Sequence, residues 1–378
     1  MAAAALALTA CTQHDDVALE ATSSEVVPIA FDCTSPTNAP STRATNGTTG
    51  IITQKNGRLY HTGFGVFVRE KDAQHTELMN NQQVKYTFQA DYDVSGYWSY
   101  SPLKYWPVVY DELQAKSVPA KLAFAAYAPY VDRPESLPAS TTGIVALSSK
   151  DATDPYLIYK RAHRREDTID LLWDYRESDT REAVKLNLLH ALARVSVAVT
   201  LSSKPAGVDR VLVERVTLSG SLAQKGQLAL TGYTIDPSTG AMADTTVPSW
   251  TVDLGDMMAE TIVIDHDPTT YNDPGSDRYS YGVVSEAIRY VKGLPREWQP
   301  EGLVAGEAMD VISQEYDQPS YLLLIPQSSL SLHTSVKLHV FYSDGTDTTL
   351  TKGTGTTIAV ATPLNGNTIY TLNLQLSL

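Results

Sequence analysis

Tyr370-Thr371-Leu372-Asn373-Leu374-Gln375-Leu376-Ser377-Leu378 alternates apolar and polar side chains without a break. Successive side chains of a β-strand point to opposite faces, so this run predicts a strand with one apolar and one polar face. Pro363, Asn365 and Gly366 stand before it as a turn. The same period recurs upstream. Val336, Leu338, Val340 and Tyr342 alternate with Lys337, His339 and Phe341, and Ser343-Asp344-Gly345-Thr346 supplies a turn. Phe64, Val66 and Val68 alternate in the same way. Tyr321-Leu322-Leu323-Leu324-Ile325 is continuously apolar, as a strand covered on both faces would be, and Pro326 stops it.

Composition agrees with an all-β chain. The 378 residues are 43% hydrophobic and only 19% charged, with 22 Gly, 20 Pro and 21 Tyr. That mixture is rich in turn formers and strand formers. The net charge of −14 argues against a nucleic-acid partner, because phosphate binding needs a basic face. No apolar run approaches the ~18 residues of a membrane-spanning helix. Length alone suggests two domains at ~150 residues each.

Val184 to Leu201 is the ambiguous segment. Its first half has helical propensity, but Val195, Val197, Val199 and Leu201 alternate strictly. Earlier apolar positions, Val184, Leu186 and Leu188, are even, and the later ones are odd. If the whole segment is strand, its buried face switches near Leu189-His190, which requires a bulge or a break. Ser202-Ser203-Lys204-Pro205-Ala206-Gly207 follows and resembles a linker, so the expected domain boundary lies near 203.

The N-terminus carries a different signal. Residues 1–10, MAAAALALTA, are apolar and end in a small residue before Cys11. Leu8-Thr9-Ala10-Cys11 matches a bacterial lipobox, in which cleavage frees the cysteine for acylation. No Lys or Arg precedes Arg43, so the expectation is that the reading frame starts further upstream. Residues 11–43 form a Thr-, Ser- and Pro-rich segment with one strand-like stretch, in which Val27, Ile29 and Phe31 share a face. Arg43-Ala44 lies in a polar stretch that by itself reads as an ordinary surface arginine, although such a setting also suits a trypsin-like protease. The only cysteines, Cys11 and Cys33, both precede Arg43, so a cut there would leave a cysteine-free product.

Motifs of catalysis are absent: the chain has no G-x-S-x-G, H-E-x-x-H, phosphate loop or G-x-G-x-x-G. Neither an enzyme activity nor a metal or other cofactor is expected. His333 and His339 are ~20 Å apart along a strand, too far to share a metal. His190 reads as a satisfied core histidine. Asp265-His266-Asp267 and Asp91-Tyr92-Asp93 lack the ligand ladder of a calcium loop. Lys160-Arg161-Ala162-His163-Arg164-Arg165 reads as a solvated loop. Trp98 and Trp106, in an aromatic-dense stretch, are candidate glycan contacts if exposed and sandwich filler if buried.

Taken together, several segments resemble the fimbrillin superfamily, the Mfa-like and fimbrillin-A-like type V pilins. They are the lipobox, the Arg43 loop, Gly63 to Val68, Tyr105-Trp106-Pro107 with Leu122 to Pro129, Asp170 to Trp173, His190 to Val197, Leu323 to Gln327 and the last strand. The stretch 236–318 matches nothing in that pattern. The resemblance implies two tandem transthyretin-like β-sandwich domains of Greek-key type, spanning 44–203 and 204–378. It implies a surface lipoprotein anchored in the outer membrane through Cys11 and matured by an Arg- or Lys-directed protease at Arg43-Ala44. Val27, Ile29 and Phe31 would lie on the discarded strand. Tyr370, Leu372, Leu374, Leu376 and Leu378 would form the donor strand that fills the vacated groove of another pilus subunit. The implied role is a stalk or tip subunit of an adhesive fimbrium with a host glycan or protein receptor. The alternatives are an anchor subunit and a glycan-binding surface lipoprotein of the same fold.

Overall fold

The computed structural model describes residues 26–34 and, from Leu59 on, the rest of the chain except 60–61, 72–75, 89–95, 133–136, 139–140, 149–153, 163–167, 232, 236–241, 245–247, 266–277, 313–320, 329 and 361–363. In chain order the strands are β1 (Phe31–Thr34), β2 (Phe64–Glu70), β3 (Glu77–Phe88), β4 (Gly96–Ser99), β5 (Val108–Asp111), β6 (Lys116–Pro119), β7 (Leu122–Ala128), β8 (Gly143–Leu147), β9 (Tyr156–Lys160), β10 (Leu172–Ser178), β11 (Val184–Asn187), β12 (Leu189–His190) and β13 (Ala193–Leu201). They continue as β14 (Val208–Ala223), β15 (Lys225–Ala229), β16 (Tyr233–Ile235), β17 (Met242–Asp244), β18 (Ser249–Thr251), β19 (Met257–Asp265), β20 (Arg278–Val283), β21 (Ala308–Asp310), β22 (Tyr321–Leu324), β23 (Leu330–Tyr342), β24 (Asp347–Val360) and β25 (Ile369–Leu376). The chain is therefore all-β, and among the described residues no helix is long and apolar enough to cross a membrane.

A six-stranded sheet, β12-β10-β7-β2-β3-β4, forms the middle of the first half. Both of its faces are covered. Phe64, Val66 and Val68 of β2 and Leu122, Phe124 and Ala126 of β7 enter the first core, with Ile29, Phe31 and Cys33 packed opposite. The intervening residues, Phe67, Ala125 and Tyr127, enter another cluster. This is the period of two acting on a strand buried on both sides.

The second core lies between the sheet β20-β19-β14-β23-β24 and the sheet β21-β13-β22, to which β25 is added on β13. Val211, Val213 and Val216 of β14 and Val336, Leu338 and Val340 of β23 face the odd-numbered residues of β13 and Leu372, Leu374 and Leu376 of β25. The apolar run 321–325 resolves in the same way. Leu322 and Leu324 enter the second core, while Tyr321 and Leu323 enter the cluster shared with Phe67 and Tyr127. That third cluster joins the halves, and so does the sheet β18-β15-β9-β8, which takes strands from both.

Three expectations need correction. The boundary near 203 falls inside the second core, because β13 pairs with β21, β22 and β25. The change of core occurs between Leu188, in the first, and Ala193, in the second. The parity switch near Leu189-His190 is thus the crossover between cores. The linker-like Ser202 to Gly207 is pinned at both ends: Ser202 N–H donates to Leu376 O at 2.8 Å, and Ser343 N–H donates to Gly207 O at 2.8 Å. The helical alternative for 183–194 also fails, since every regular element there is strand.

The reading of residues 160–165 as a solvated loop fails at Arg161. Its side chain is fully buried and ion-paired with Glu260, whose carboxylate also accepts from Gln224 Nε2 at 2.6 Å. Residues 163–165 lie outside the described residues.

Candidate strand-exchange site

Residues 27–34 cross the first core as an extended segment gripped on two edges. On one edge, Ile29 N–H donates to Lys104 O at 2.8 Å and Trp106 N–H donates to Val27 O at 3.0 Å, around an antiparallel bridge between Pro28 and Tyr105. On the other, Val184 N–H donates to Ala30 O at 2.8 Å, and β1 runs parallel to β11 with Phe31 beside Val184 and Cys33 beside Leu186. Neighbouring residues of a strand direct their main-chain groups to opposite sides, so one extended segment can bond both walls.

The alternation that predicted the strand sets its burial. Ile29, Phe31 and Cys33 are buried, while Pro28, Ala30 and Asp32 are exposed. The Phe31 ring meets Phe64, Tyr100 and Phe124 at 5.7–6.1 Å between centroids, each edge-on. Edge-on contacts match positive ring edges to negative faces. The Tyr100 hydroxyl donates to Ile29 O at 2.7 Å. Val27 is only partly buried at the mouth of the slot.

Cys33 is a free thiol on this segment. Burial, reinforced by the charges of Asp174 and Asp32, pushes its ionisation far up, so the reactive thiolate is suppressed while the segment is seated. With Cys11 replaced by alanine, maleimide labelling of Cys33 is expected to be at least a hundredfold slower in the native chain than in denaturant. Equal rates would mean that the segment is not seated.

The C-terminal strand occupies a comparable place in the other core. β25 runs parallel to β13, from Ile369 beside Arg194 to Leu376 beside Leu201. Leu372, Leu374 and Leu376 are buried, Tyr370 and Leu378 are partly so, and Thr371, Asn373, Gln375 and Ser377 are exposed. Two polar pairs fix the register: Ser196 Oγ with Thr371 Oγ1 at 2.9 Å, and Thr200 Oγ1 donating to Asn373 Oδ1 at 2.8 Å. The expected donor strand thus lies in its own second core, and it does not meet the first-core slot within one chain. Leu374→Asp should therefore destabilise the isolated chain by several kcal/mol, as it buries an unpaired carboxylate. Gln375→Asp should stay within about 0.5 kcal/mol. Urea denaturation of the two variants checks this.

Other sequence candidates fall elsewhere. Trp106 is buried against Phe124 at 5.8 Å between centroids, and Trp98 packs edge-on to Phe64 and Tyr86, both at 5.1 Å. Trp106 lies in the first core and the partly buried Trp98 packs against it, so of the two readings the filler one fits. His190 Nδ1 lies 2.6 Å from Asp170 Oδ2, buried as a core histidine pair. Among the described residues, no group of three or more His, Cys, Asp or Glu is placed to hold a metal ion. Cys11, Arg43 and Ala44 lie outside the described residues. Sequence reasoning missed Tyr100 and the Lys104–Trp106 wall. It also missed β11 as a partner of β1, although the even parity of Val184 and Leu186 marked β11 as core.

No protein-family model matches the chain, and no curated protein matches it. Among solved structures it is similar to a candidate cell adhesion protein from Bacteroides ovatus, at TM-score 0.35 and 11% identity, covering 93% of this chain and 92% of that one. It is also similar to a candidate cell adhesion protein from Bacteroides uniformis, at TM-score 0.35 and 12% identity, covering 92% and 93% respectively. A candidate adhesin from Bacteroides ovatus aligns over 98% of this chain and 97% of its own, at TM-score 0.26 and 11% identity.

Proposed function

We propose that the chain is a subunit of an adhesive cell-surface fibre that polymerises by strand replacement. In this reading it is exported as a lipoprotein acylated at Cys11, cut after Arg43, and joined to the next subunit through the emptied slot. The observation that carries the reading is the two-edged grip on residues 27–34. Their side chains complete the first core, yet in sequence they precede the Arg43-Ala44 bond and every strand from β2 on. One cut there would detach the segment without breaking a described strand.

A slot with hydrogen-bonding walls on both sides and apolar pockets at alternate positions suits an incoming strand of matching period. Tyr370 to Leu378 has that period, and its five apolar residues match the spacing of Val27, Ile29, Phe31 and Cys33. Donation requires β25 to leave β13, where it is held along one edge. A stalk or tip position follows from the cut, whereas an uncut chain would act as a lipid-held anchor. The test is digestion of the purified precursor with an Arg-specific protease, followed by electron microscopy and N-terminal sequencing. Fibres of subunits beginning at Ala44 are expected. A product beginning at Ala44 that stays monomeric at high concentration would overturn the polymer reading.

A further inference from the structure

A cleft of about 380 Å³ opens on the outer face of the five-stranded sheet, away from the slot. Its floor comes from β14, β19 and β23, and Tyr290 and Lys292 form one wall. The wall is tied down where β14 is irregular between Val213 and Arg215. There Val213 N–H donates to Ile288 O at 2.7 Å, and Tyr290 N–H donates to Val213 O at 3.0 Å. Ile288 is buried in the second core, which anchors the connection from beneath. The Tyr290 ring lies flat on His339, with centroids 3.9 Å apart and planes 4° from parallel. The aromatic wall is therefore preorganised.

Its charges are largely committed to one another. Asp265 Oδ2 accepts from Arg215 Nε at 2.8 Å. Glu214 is ion-paired with Lys337 and accepts from Thr349 at 3.2 Å. His339 places Nδ1 3.1 Å from a Glu214 oxygen and Nε2 2.8 Å from an Asp347 oxygen. Burial raises the Glu214 carboxyl, but the bonds from Lys337 and His339 outweigh it and hold the group below the usual carboxylate range. Burial and the charges of Glu214 and Asp347 raise the Tyr290 phenol, which stays a donor.

Two groups remain uncommitted among the described residues, the Lys292 ammonium and the Tyr290 hydroxyl. Arg215 and Lys337 are paired with Asp265 and Glu214, so Lys292 is the lining cation left to meet an incoming anion. The cleft's volume lies near the lower end of small-ligand pockets, ~300–1,000 Å³. A doubly charged phosphate would meet two wall carboxylates. A ring carrying one carboxylate and several hydroxyls would set its charge against Lys292 and donate its hydroxyls to Glu214 and Asp265. We infer that the cleft between Tyr290, Lys292 and the outer face of β14, β19 and β23 binds an acidic sugar residue.

The inference does not depend on strand replacement. Titration calorimetry and saturation-transfer NMR on the full chain would use D-glucuronate and N-acetylneuraminate as probes, with D-glucose and inorganic phosphate as controls. Saturable binding of at least one acid, tenfold or more tighter than glucose or phosphate, is expected. Lys292→Ala and Tyr290→Phe should each weaken it at least fivefold. Lys292 is exposed and unpaired, so its variant should melt at the wild-type temperature. Absence of saturable binding by both acids would overturn the inference, as would binding unchanged in Lys292→Ala. Phosphate binding as tight as either acid would reduce the cleft to a simple anion site and overturn the sugar assignment.

Discussion

Phe31→Ala is expected to destabilise the intact chain by about 3–5 kcal/mol, the range for removing a large aromatic side chain from a packed core. The ring touches Phe64, Tyr100 and Phe124, and Ile29 and Cys33 are fixed beside it, so little can collapse into the space it leaves. Urea denaturation of the full-length protein measures the loss. An exposed neighbour on the same segment, Asp32→Ala, should change stability by no more than about 0.5 kcal/mol. Under the proposed exchange, the penalty belongs to the precursor alone. Once residues 1–43 have been cut away and replaced, Phe31 is gone from the core and its identity can no longer matter. A Phe31→Ala effect that persists in the assembled product would mean that the segment is never exchanged.

Glu260→Ala should be nearly as severe, at about 3–5 kcal/mol, for an electrostatic reason. Arg161, just after β9, and Glu260, on β19, are both buried and paired with each other. Removing the carboxylate leaves a guanidinium in a low-dielectric interior without its counter-charge. Gln224 also loses its acceptor. Replacing both charges together, as Arg161→Met with Glu260→Leu, should recover most of the loss, because a packed apolar pair pays no desolvation penalty. Thermal unfolding of the single and double variants separates the two cases. A single substitution that leaves the melting temperature unchanged would mean that the pair is accessible to water.

Strand identity was legible because alternation is local. The period of two in β2, β23 and β25, and the unbroken apolar run of β22, each report which faces are covered. The switch of parity between Leu188 and Ala193 even located the passage between cores, read from the sequence as a bulge or a break. Pairing was not legible. Phe31 lies beside Val184 and Arg194 beside Ile369, and no pattern within either segment names a partner so far along the chain. Ser202 to Gly207 misled because linker composition says nothing about main-chain bonds made to Leu376 and Ser343. Arg161 misled because its basic neighbours suggested a surface, while its partner Glu260 stands 99 residues away. The cleft draws Glu214, Tyr290 and His339 from three separate stretches, none of which forms a motif by itself.

The central claim is that residues 27–34 fill a slot that another strand of the same period can take. Its most direct test starts from the folded, full-length Cys11→Ala protein, cut once after Arg43, with the fragment 1–43 carrying a fluorophore at its N-terminus. The account predicts that the fragment stays bound after the cut. An excess of peptide Ile369–Leu378 should then release it, while the same peptide carrying Leu374→Asp should not. Release by both peptides, or by neither, would contradict the account, as would immediate loss of the fragment with no change in melting temperature.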